Sequence, residues 1–166
     1  MNPQPDTAPH TAAHKPADLH TYEMPYTVTY GEINVVGIAY YADLFRWLGK
    51  CRELWGFEYF PRYMYTLGPD LSLLTSTASC EFLGEMRVND HLVIGLTVPW
   101  VRLHLVHIKF TIHRLTPQGK DLTARAEQTW ANCRRVDSDF VPDPWPQEVL
   151  DGLTRMGTDL TRATTQ

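Results

Sequence analysis

No apolar run in the sequence approaches the roughly 20 residues that a membrane-spanning helix requires, so no membrane span is predicted. The amino terminus also lacks the basic and apolar regions of a secretory signal peptide. Excess positive charge is missing too, because 15 Lys and Arg against 19 Asp and Glu give a net charge of -4 at pH 7. This balance argues against a nucleic-acid-binding protein, since such proteins neutralise phosphates with basic side chains.

Cysteine is scarce as well. The three cysteines, Cys51, Cys80 and Cys133, are odd in number and widely spaced, which is not the pattern of a disulfide framework. We therefore expect reduced thiols in a cytoplasmic protein. Cys51 falls on the buried side of the helix described below, so no reactive thiolate is expected there.

The motifs of several common enzyme classes are missing. The sequence contains no G-x-S-x-G, P-loop, G-x-G-x-x-G, H-E-x-x-H or C-x-x-C motif. His104, His107 and His113 have the spacing of metal ligands only in the written sequence, because His104 and His107 point to opposite faces of a strand. The sequence therefore predicts neither a metal site nor a cofactor.

What the sequence does contain is the composition of a globular domain. A chain of 166 residues with 43% hydrophobic and 20% charged residues is typical of one domain with a core of ordinary size. The first 20 residues carry four prolines and no apolar periodicity, which predicts a disordered leader over residues 1–20. We assign a single domain to residues 21–156 and a flexible tail to residues 157–166.

One stretch, residues 40–55, has the apolar spacing of a long buried helix. At about 100° per residue its apolar side chains fill about half of the helix circumference. They are Tyr40, Tyr41, Leu44, Phe45, Trp47, Leu48, Cys51, Leu54 and Trp55. So wide a stripe indicates burial against a surface that curves around the helix, and Gly56 is predicted to end it. Arg52 lies inside the apolar arc, where a guanidinium must reach water, pair, or serve a site.

Strand patterns flank this helix. Residues 22–31 are β-rich, and four further runs bounded by turn residues follow the helix. We predict these strands at residues 71–83, 91–101, 104–115 and 121–135. Residues 141–146 carry three prolines and are expected to leave the sheet, and residues 146–156 are expected to form a short amphipathic helix. This segregation predicts an α+β fold with a five-stranded antiparallel sheet that curls around the helix, and paired chains that cover its edge and outer face.

A few polar groups remain as candidates for chemistry: Glu32, Asn34, the backbone at the start of the helix, and Arg52. The free N–H groups at the start of a buried helix are the parts of an oxyanion hole, and Asn34 can both donate and accept a hydrogen bond. In an extended segment Glu32 and Asn34 share one face. Glu32 is either a general base or, as we favour, a solvated surface carboxylate. For Arg52 the alternative of equal weight is an ordinary surface arginine whose stem covers apolar surface.

Residues 32–54, EINVVGIAYYADLFRWLGKCREL, resemble hotdog-fold thioesterases of the 4-hydroxybenzoyl-CoA thioesterase type, and in particular the branch found in enediyne polyketide biosynthesis. Residues 80–90, CEFLGEMRVND, and 124–135, ARAEQTWANCRR, resemble the same branch. The resemblance extends over about residues 22–150. It implies a hotdog fold, in which an antiparallel sheet wraps a long central helix. It also implies protomers that pair edge to edge, with active sites at their interface.

The resemblance also implies roles for individual residues. Asn34 stands where the wider family has an aspartate as base or nucleophile, and this exchange is typical of the enediyne branch, where catalysis is attributed to hydrogen bonding and water activation. The oxyanion donor corresponds to the backbone N–H of Tyr41, and Arg52 corresponds to the helix arginine of the branch. Leu44 replaces a tyrosine that the branch often has, so any role of that phenol in binding substrate is lost.

The implied activity is hydrolysis of a thioester that joins a polyene β-keto acyl chain to the acyl carrier protein of an iterative polyketide synthase. Decarboxylation of the released acid to a methyl ketone is a further implied step. Because carrier proteins are acidic, Arg62, Arg87 and Arg135 are docking candidates, although each is better explained as an ordinary surface charge. A homodimer or homotetramer is expected.

Other functions stay open. An acyl-CoA thioesterase would require a site for the nucleotide phosphates. A hotdog protein that binds or shields a reactive polyketide without catalysis is also compatible with Asn34 in place of a carboxylate. A hotdog dehydratase is less well supported, because no catalytic histidine is evident.

Overall fold

The computed structural model describes residues 19–163, which form a seven-stranded sheet and three α-helices. In chain order the elements are β1 (Tyr22–Thr27), α1 (Tyr41–Tyr59), α2 (Pro61–Thr66), β2 (Leu71–Phe82), β3 (His91–Arg102), β4 (Leu105–Thr116), β5 (Gly119–Val136), β6 (Asp139–Pro142), α3 (Gln147–Arg155) and β7 (Asp159–Arg162). The predicted leader falls outside the described residues except for Leu19 and His20. The backbone N–H of His20 donates to the carbonyl of Met156 at 3.0 Å.

Within the described range, five long strands make up most of the sheet. Their order is β1–β3–β4–β5–β2, and every neighbouring pair in it is antiparallel. The α+β class and the five-stranded antiparallel sheet predicted from the sequence are confirmed. The order leaves β1 and β2 at the two edges of this set. On its outer edge the backbone of β2 therefore pairs with no other strand of the described residues.

The sheet curls over α1, and the core lies between them. On α1 the side chains of Leu44, Trp47, Leu48, Cys51 and Trp55 are each no more than 2% exposed. Alternate residues of the strands face them: Leu92, Ile94 and Leu96 from β3, Val106, Ile108, Phe110 and Ile112 from β4, and Ala124, Ala126 and Trp130 from β5. The predicted central helix is therefore confirmed, and burial raises the pKa of the Cys51 thiol to about 12.

The buried arc of α1 is narrower than its apolar stripe. Tyr41 is 60% exposed, Phe45 36% and Leu54 42%. The predicted burial of these three residues is wrong for a single chain, because the sheet covers only one side of the helix. Tyr41, Phe45 and Arg52 lie within about 40° of one another around the helix axis. We call this line of residues the α1 flank.

The end of α1 differs from the prediction. The helix continues past Gly56 to Tyr59, and Pro61 starts α2 at a position that suits proline. A Cβ atom at position 56 would lie 2.6 Å from the Sδ atom of Met64. Gly56 therefore permits the close approach of α2 rather than the termination of α1.

Two short strands were not predicted. β6 pairs with β5 across the turn at Asp137, whose φ of 55° is left-handed. Residues 159–162, which we expected to belong to a flexible tail, form β7 and pair in parallel with β3 at Trp100 and Arg102. That pairing is open to β7 because β1 covers β3 only from His91 to Leu96. Residues 164–166 lie outside the described residues.

The helix predicted at residues 146–156 is confirmed as α3, which buries Val149, Gly152 and Leu153 against the corner between α1 and α2. A buried hydrogen-bond network lies under this corner. The hydroxyl of Tyr63 donates a hydrogen bond to Oδ1 of Asn132 at 2.7 Å.

No helix of residues 19–163 is long and apolar enough to cross a membrane.

The Tyr63–Asn132 hydrogen bond gives the first testable prediction. Tyr63 is 3% exposed and Asn132 is 0% exposed, so Tyr63→Phe leaves a buried acceptor without its donor. We expect the free energy of unfolding to fall by about 1–3 kcal/mol, measured by urea denaturation. Tyr65→Phe is the matched control, since Tyr65 lies on the same helix and is 80% exposed. Equal losses in the two variants would contradict the role of the network.

Candidate active site

The loop before α1 holds Asn34 in a defined orientation. The Oδ1 atom of Asn34 accepts hydrogen bonds from the backbone N–H groups of Val36 at 3.0 Å and Ile38 at 3.2 Å. The loop turns at Gly37, whose φ of +80° favours glycine. Because both partners are donors, the oxygen of the amide faces the loop. The Nδ2 group of Asn34, which has no partner among residues 19–163, is left to donate elsewhere.

The same loop leads into the start of α1. The backbone N–H of Tyr40 donates to the carbonyl of Glu32 at 2.7 Å, and Ile33 pairs with Ala39 in an isolated bridge. These contacts hold the two ends of the loop together, so the loop that carries Asn34 leads directly into the amino-terminal end of the helix. Tyr41 is the first residue of α1, and its backbone N–H has no acceptor within the described part of the chain. This N–H and the positive end of the helix dipole can bind a developing negative charge.

Glu32 does not share a strand face with Asn34, because residues 30–32 form a turn of 3-10 helix. Its carboxylate accepts hydrogen bonds from the Tyr26 hydroxyl, from the backbone N–H and hydroxyl of Thr29 at 2.7 Å each, and from Nε1 of Trp47 at 2.7 Å. The solvated surface carboxylate that we favoured is therefore wrong. Glu32 connects β1, the turn and α1.

These contacts also affect the acidity of Glu32. Burial raises its pKa, but the hydrogen bonds from Tyr26, Thr29 and Trp47 together lower it more, so the pKa lies below its ordinary value of 4.5. A carboxylate with such a pKa and four donors around it is a weak proton acceptor. The geometry favours a role for Glu32 in positioning the loop over a role as general base.

Arg52 lies between α1 and the sheet. Its Nη1 group donates to Oγ1 of Thr75 at 3.0 Å and to Oε1 of Gln128 at 3.4 Å, and its guanidinium carbon is 4.5 Å from the centre of the Trp130 ring. Burial lowers the pKa of Arg52, and Glu53 opposes that change. The described residues form no ion pair with its guanidinium, and they leave its Nε and Nη2 groups without an acceptor. Those groups are free to bind oxygen atoms of a ligand.

A cavity of about 320 Å³ opens beside Arg52. Its wall is mainly apolar and includes Met64, Leu67, Leu71 and Trp130. The volume is at the lower end of the range of small-molecule pockets. Polar groups in the lining come from Arg52, Glu53 and Ser72. A mainly apolar cavity with a guanidinium at its edge suits a hydrocarbon chain that carries an oxygen group.

Tyr41 and Arg52 lie on one side of α1, but the predicted site residues do not all meet in one chain. Asn34 and the N–H of Tyr41 lie at the start of the helix, whereas Arg52 is eleven residues further along, roughly 16 Å along the helix axis. The α1 flank, with Phe45 in the middle, connects the two ends. Leu44 is 1% exposed and belongs to the core rather than to this flank.

Sequence reasoning missed the groups that hold Arg52, namely Thr75, Gln128 and Trp130. Gln128 is 4% exposed and occupies an inward position of β5, where the alternation calls for an apolar residue. That exception was the available signal. Among residues 19–163, no group of three or more His, Cys, Asp or Glu could hold a metal ion.

Comparison with known proteins adds the fold family. No family model matches the chain, and no curated protein matches it. Solved structures do match. The dynemicin thioesterase, whose crystal structures reveal induced-fit and allosteric effects upon polyene binding, is 28% identical with a TM-score of 0.79, over 84% of this chain and 99% of that one.

Two further solved structures are more distant in sequence. A 1,4-dihydroxy-2-naphthoyl-CoA thioesterase from Synechocystis is 17% identical with a TM-score of 0.69, over 81% of this chain and 96% of that one. The 4-hydroxybenzoyl CoA thioesterase from Pseudomonas sp. strain CBS-3 is 17% identical with a TM-score of 0.64, over 80% and 98%. The chain therefore has the hotdog fold, and these structural neighbours are hotdog-fold thioesterases.

The hydrogen bonds of Glu32 give the second prediction. Glu32→Gln replaces an acceptor of four hydrogen bonds by an amide with one oxygen and two N–H donors, so we expect the free energy of unfolding at pH 7 to fall by about 1–3 kcal/mol. The pKa of Glu32 is lower in the folded protein than its ordinary value of 4.5. Its stabilisation is therefore complete above pH 4.5 and is lost as the pH falls through the folded-state pKa.

The measurement is denaturant unfolding of both proteins from neutral to acidic pH. The difference between wild type and Glu32→Gln should narrow as the pH falls below the ordinary glutamate value. Glu23→Gln is the control, because Glu23 on β1 has an exposed carboxylate whose contact is a surface ion pair with Lys120, and such pairs contribute little. A difference that stays constant with pH would show that the charge of Glu32 is not involved.

Proposed function

We propose that the hotdog domain described above is a thioesterase, which hydrolyses its substrate at the start of α1 and holds the acyl chain along the α1 flank. The observation that carries this proposal is the free backbone N–H of Tyr41 at the start of the helix to which the loop of Asn34 leads. Together this N–H and the Asn34 amide provide donors for the oxyanion of a tetrahedral intermediate without a carboxylate. The thioesterase activity of the solved structures in the same fold supports this reaction class.

Each polar group has a role in the proposed reaction. A water molecule attacks the thioester carbonyl carbon, and the carbonyl oxygen gains a negative charge. This oxygen accepts a hydrogen bond from the backbone N–H of Tyr41. The Nδ2 group of Asn34 donates to the oxygen of the substrate or of the attacking water. When the intermediate collapses, the carbon–sulfur bond breaks and the thiol leaves with a proton from the water. The products are a carboxylic acid and a free thiol.

The proposed active form is a homodimer. The loop before α1 exposes Val35 at 105% and Val36 at 65%, and Tyr41 and Phe45 of the α1 flank are also exposed. β2 lies at the edge of the long strands, so a second copy can pair there around a two-fold axis. Two α1 helices related by such an axis run in opposite directions. Arg52 of the partner subunit then approaches the Tyr41 end of the first helix, which unites the two halves of the site.

The proposed substrate is a β-keto acyl chain with a long apolar part. The free Nε and Nη2 groups of Arg52 fit the oxygens of a β-keto thioester and of the acid released from it, because a planar guanidinium offers two parallel donors. The flank and the apolar cavity suit a polyene. Polyene binding by the dynemicin thioesterase supports this choice. Decarboxylation of the released β-keto acid to a methyl ketone is part of the proposal.

The proposed thiol carrier is the acyl carrier protein of a polyketide synthase, which gives the enzyme a cytoplasmic partner. Arg87 lies next to the loop before α1, since it pairs with Ile38 in an isolated bridge. Its guanidinium is 2.5 Å from the Glu85 carboxylate. An arginine at this position can contact an acidic carrier protein. Arg62 and Arg135 lie at the start of α2 and at the end of β5, and they are less directly connected to the loop.

A second candidate function is the binding of a polyketide without catalysis. It is favoured by one observation: Glu32, the carboxylate beside the candidate site, is held by four hydrogen bonds. A binder would need the α1 flank and the cavity but not the donors at the start of the helix.

The third prediction concerns Asn34 and separates these functions. With a polyene β-keto acyl chain loaded on the carrier protein, wild type should release the acid or its methyl ketone, identified by mass spectrometry. Asn34→Ala should lower the single-turnover rate roughly ten- to a thousandfold, as expected for one lost donor in a preorganised site. Gln147→Ala removes an exposed amide on α3 and should leave the rate unchanged.

The other outcomes are equally informative. Tight binding of the acyl chain with no release by wild type would indicate the non-catalytic protein. Faster release from the matching acyl-CoA than from the carrier protein would indicate an acyl-CoA thioesterase. Full activity of Asn34→Ala would place the reaction elsewhere in the molecule.

A further inference from the structure

The cavity beside Arg52 is closed on one side by α2. Met64 and Leu67, on and just after this helix, contribute side chains to the wall. Other side chains of α2 face elsewhere, since Tyr63 is 3% exposed in the core and Tyr65 is 80% exposed to solvent. α2 is therefore a partition between the core, the cavity and the solvent, and its position determines how far the cavity extends.

α3 holds the start of α2. The carboxylate of Glu148 accepts hydrogen bonds from the backbone N–H groups of Arg62 at 3.1 Å and Tyr63 at 3.0 Å. These are groups that a helix start leaves without intrahelical partners. A negative charge at that end also complements the helix dipole. One side chain, more than eighty residues away in the sequence, thus replaces a local cap.

The same helix also fixes the end of α1 from which α2 departs. Arg155 donates a hydrogen bond to the carbonyl of Tyr59. A Cβ atom at Gly152 would lie 3.0 Å from both the Tyr59 carbonyl oxygen and Cδ1 of Phe60, so the backbones of α3 and α1 are in close contact. α3 therefore contacts both the end of α1 and the start of α2. α2 cannot tilt without breaking its hydrogen bonds to Glu148.

We propose that α2 is the end wall of the acyl site and sets the length of the acyl chain that the enzyme accepts, with Glu148 as the positioning residue for this wall. This inference rests on the proposed function, because it assigns the cavity to the far end of the acyl chain. A chain that reaches the wall gains contact with Met64 and Leu67. A longer chain collides with it.

Leu67 tests the wall directly. The probes are saturated straight-chain acyl thioesters of N-acetylcysteamine, from hexanoyl to palmitoyl, with kcat and KM measured for each. For wild type we expect KM to fall roughly fourfold for each added methylene until the wall is reached, and then to rise. Leu67→Ala should move this minimum to longer chains, and Leu67→Trp should move it to shorter ones. Tyr65→Ala, on the solvent side of α2, should leave the minimum in place.

Glu148 tests the positioning. Glu148→Ala should raise KM for chains at the wild-type minimum by about fourfold or more, while kcat for hexanoyl stays unchanged because that chain does not reach the wall. Glu148→Gln keeps one acceptor oxygen and should restore part of the length preference. Asp151→Ala, on the same helix, is the control. An equal loss of activity at every chain length would mean that Glu148 only stabilises the fold, and would overturn its proposed role.

The inference and the proposed function can fail separately. If wild type hydrolyses none of these thioesters, the wall is tested by calorimetric binding of the free fatty acids from hexanoic to palmitic acid. The proposed function fails only if wild type does not release the acyl chain from the carrier protein either. The same shifts with Leu67→Ala and Leu67→Trp are expected in that binding series. A length preference that neither substitution moves, in hydrolysis or in binding, would overturn the inference.

Discussion

The burial of α1 against a sheet that covers only one of its sides is the constraint on which the rest of the structure depends. Trp47, Leu48 and Cys51 face the sheet and are at most 2% exposed. Tyr41 and Phe45 lie beside that buried arc and are uncovered. Because the apolar arc of the helix is wider than the sheet can cover, the α1 flank runs uncovered at Tyr41 and Phe45 from the loop before α1 towards the cavity beside Arg52. The proposed substrate path and the proposed dimer interface both follow from this mismatch.

The second feature is that the candidate site offers hydrogen-bond donors rather than a free carboxylate. Glu32 remains ionised but is held by Tyr26, Thr29 and Trp47, so its contribution is to fix the loop. Asn34 is oriented by that loop, and Tyr41 presents the first N–H of the helix. At the other end Arg52 keeps its charge between neutral partners. The chemistry that this arrangement supports is stabilisation of a developing oxyanion and orientation of oxygen-bearing groups.

Local patterns were sufficient for most of the fold, and contacts between distant segments account for what was missed. The period of α1 and the alternation of the strands predicted their positions to within a few residues. Gly56 was wrongly predicted to end α1. Its role is to leave room for Met64, which lies on another helix, and this contact cannot be read from the local sequence. β7 was missed because its pairing depends on how much of β3 the first strand leaves uncovered, which no local pattern encodes.

The candidate site shows the same division. Arg52 was recognisable as the exception on an apolar arc, but Thr75 and Gln128, which hold it, come from two strands far along the chain. Glu32 was misjudged because the chain forms a 3-10 turn there, which places its carboxylate against Trp47. The distance between Tyr41 and Arg52 along one helix was available from the sequence alone, and it is the reason to assign the two halves of one site to two copies of the chain.

Mixing two variants tests that assignment most directly. Asn34→Ala and Arg52→Met are purified separately with different tags, exchanged into mixed dimers, and the dimer composition is checked by native mass spectrometry. If each site takes Asn34 from one copy and Arg52 from the other, every mixed dimer contains one intact site, and random exchange restores about a quarter of wild-type release. If both residues act within one chain, no site in the mixture is intact, and activity that stays at the level of the single variants would contradict the account.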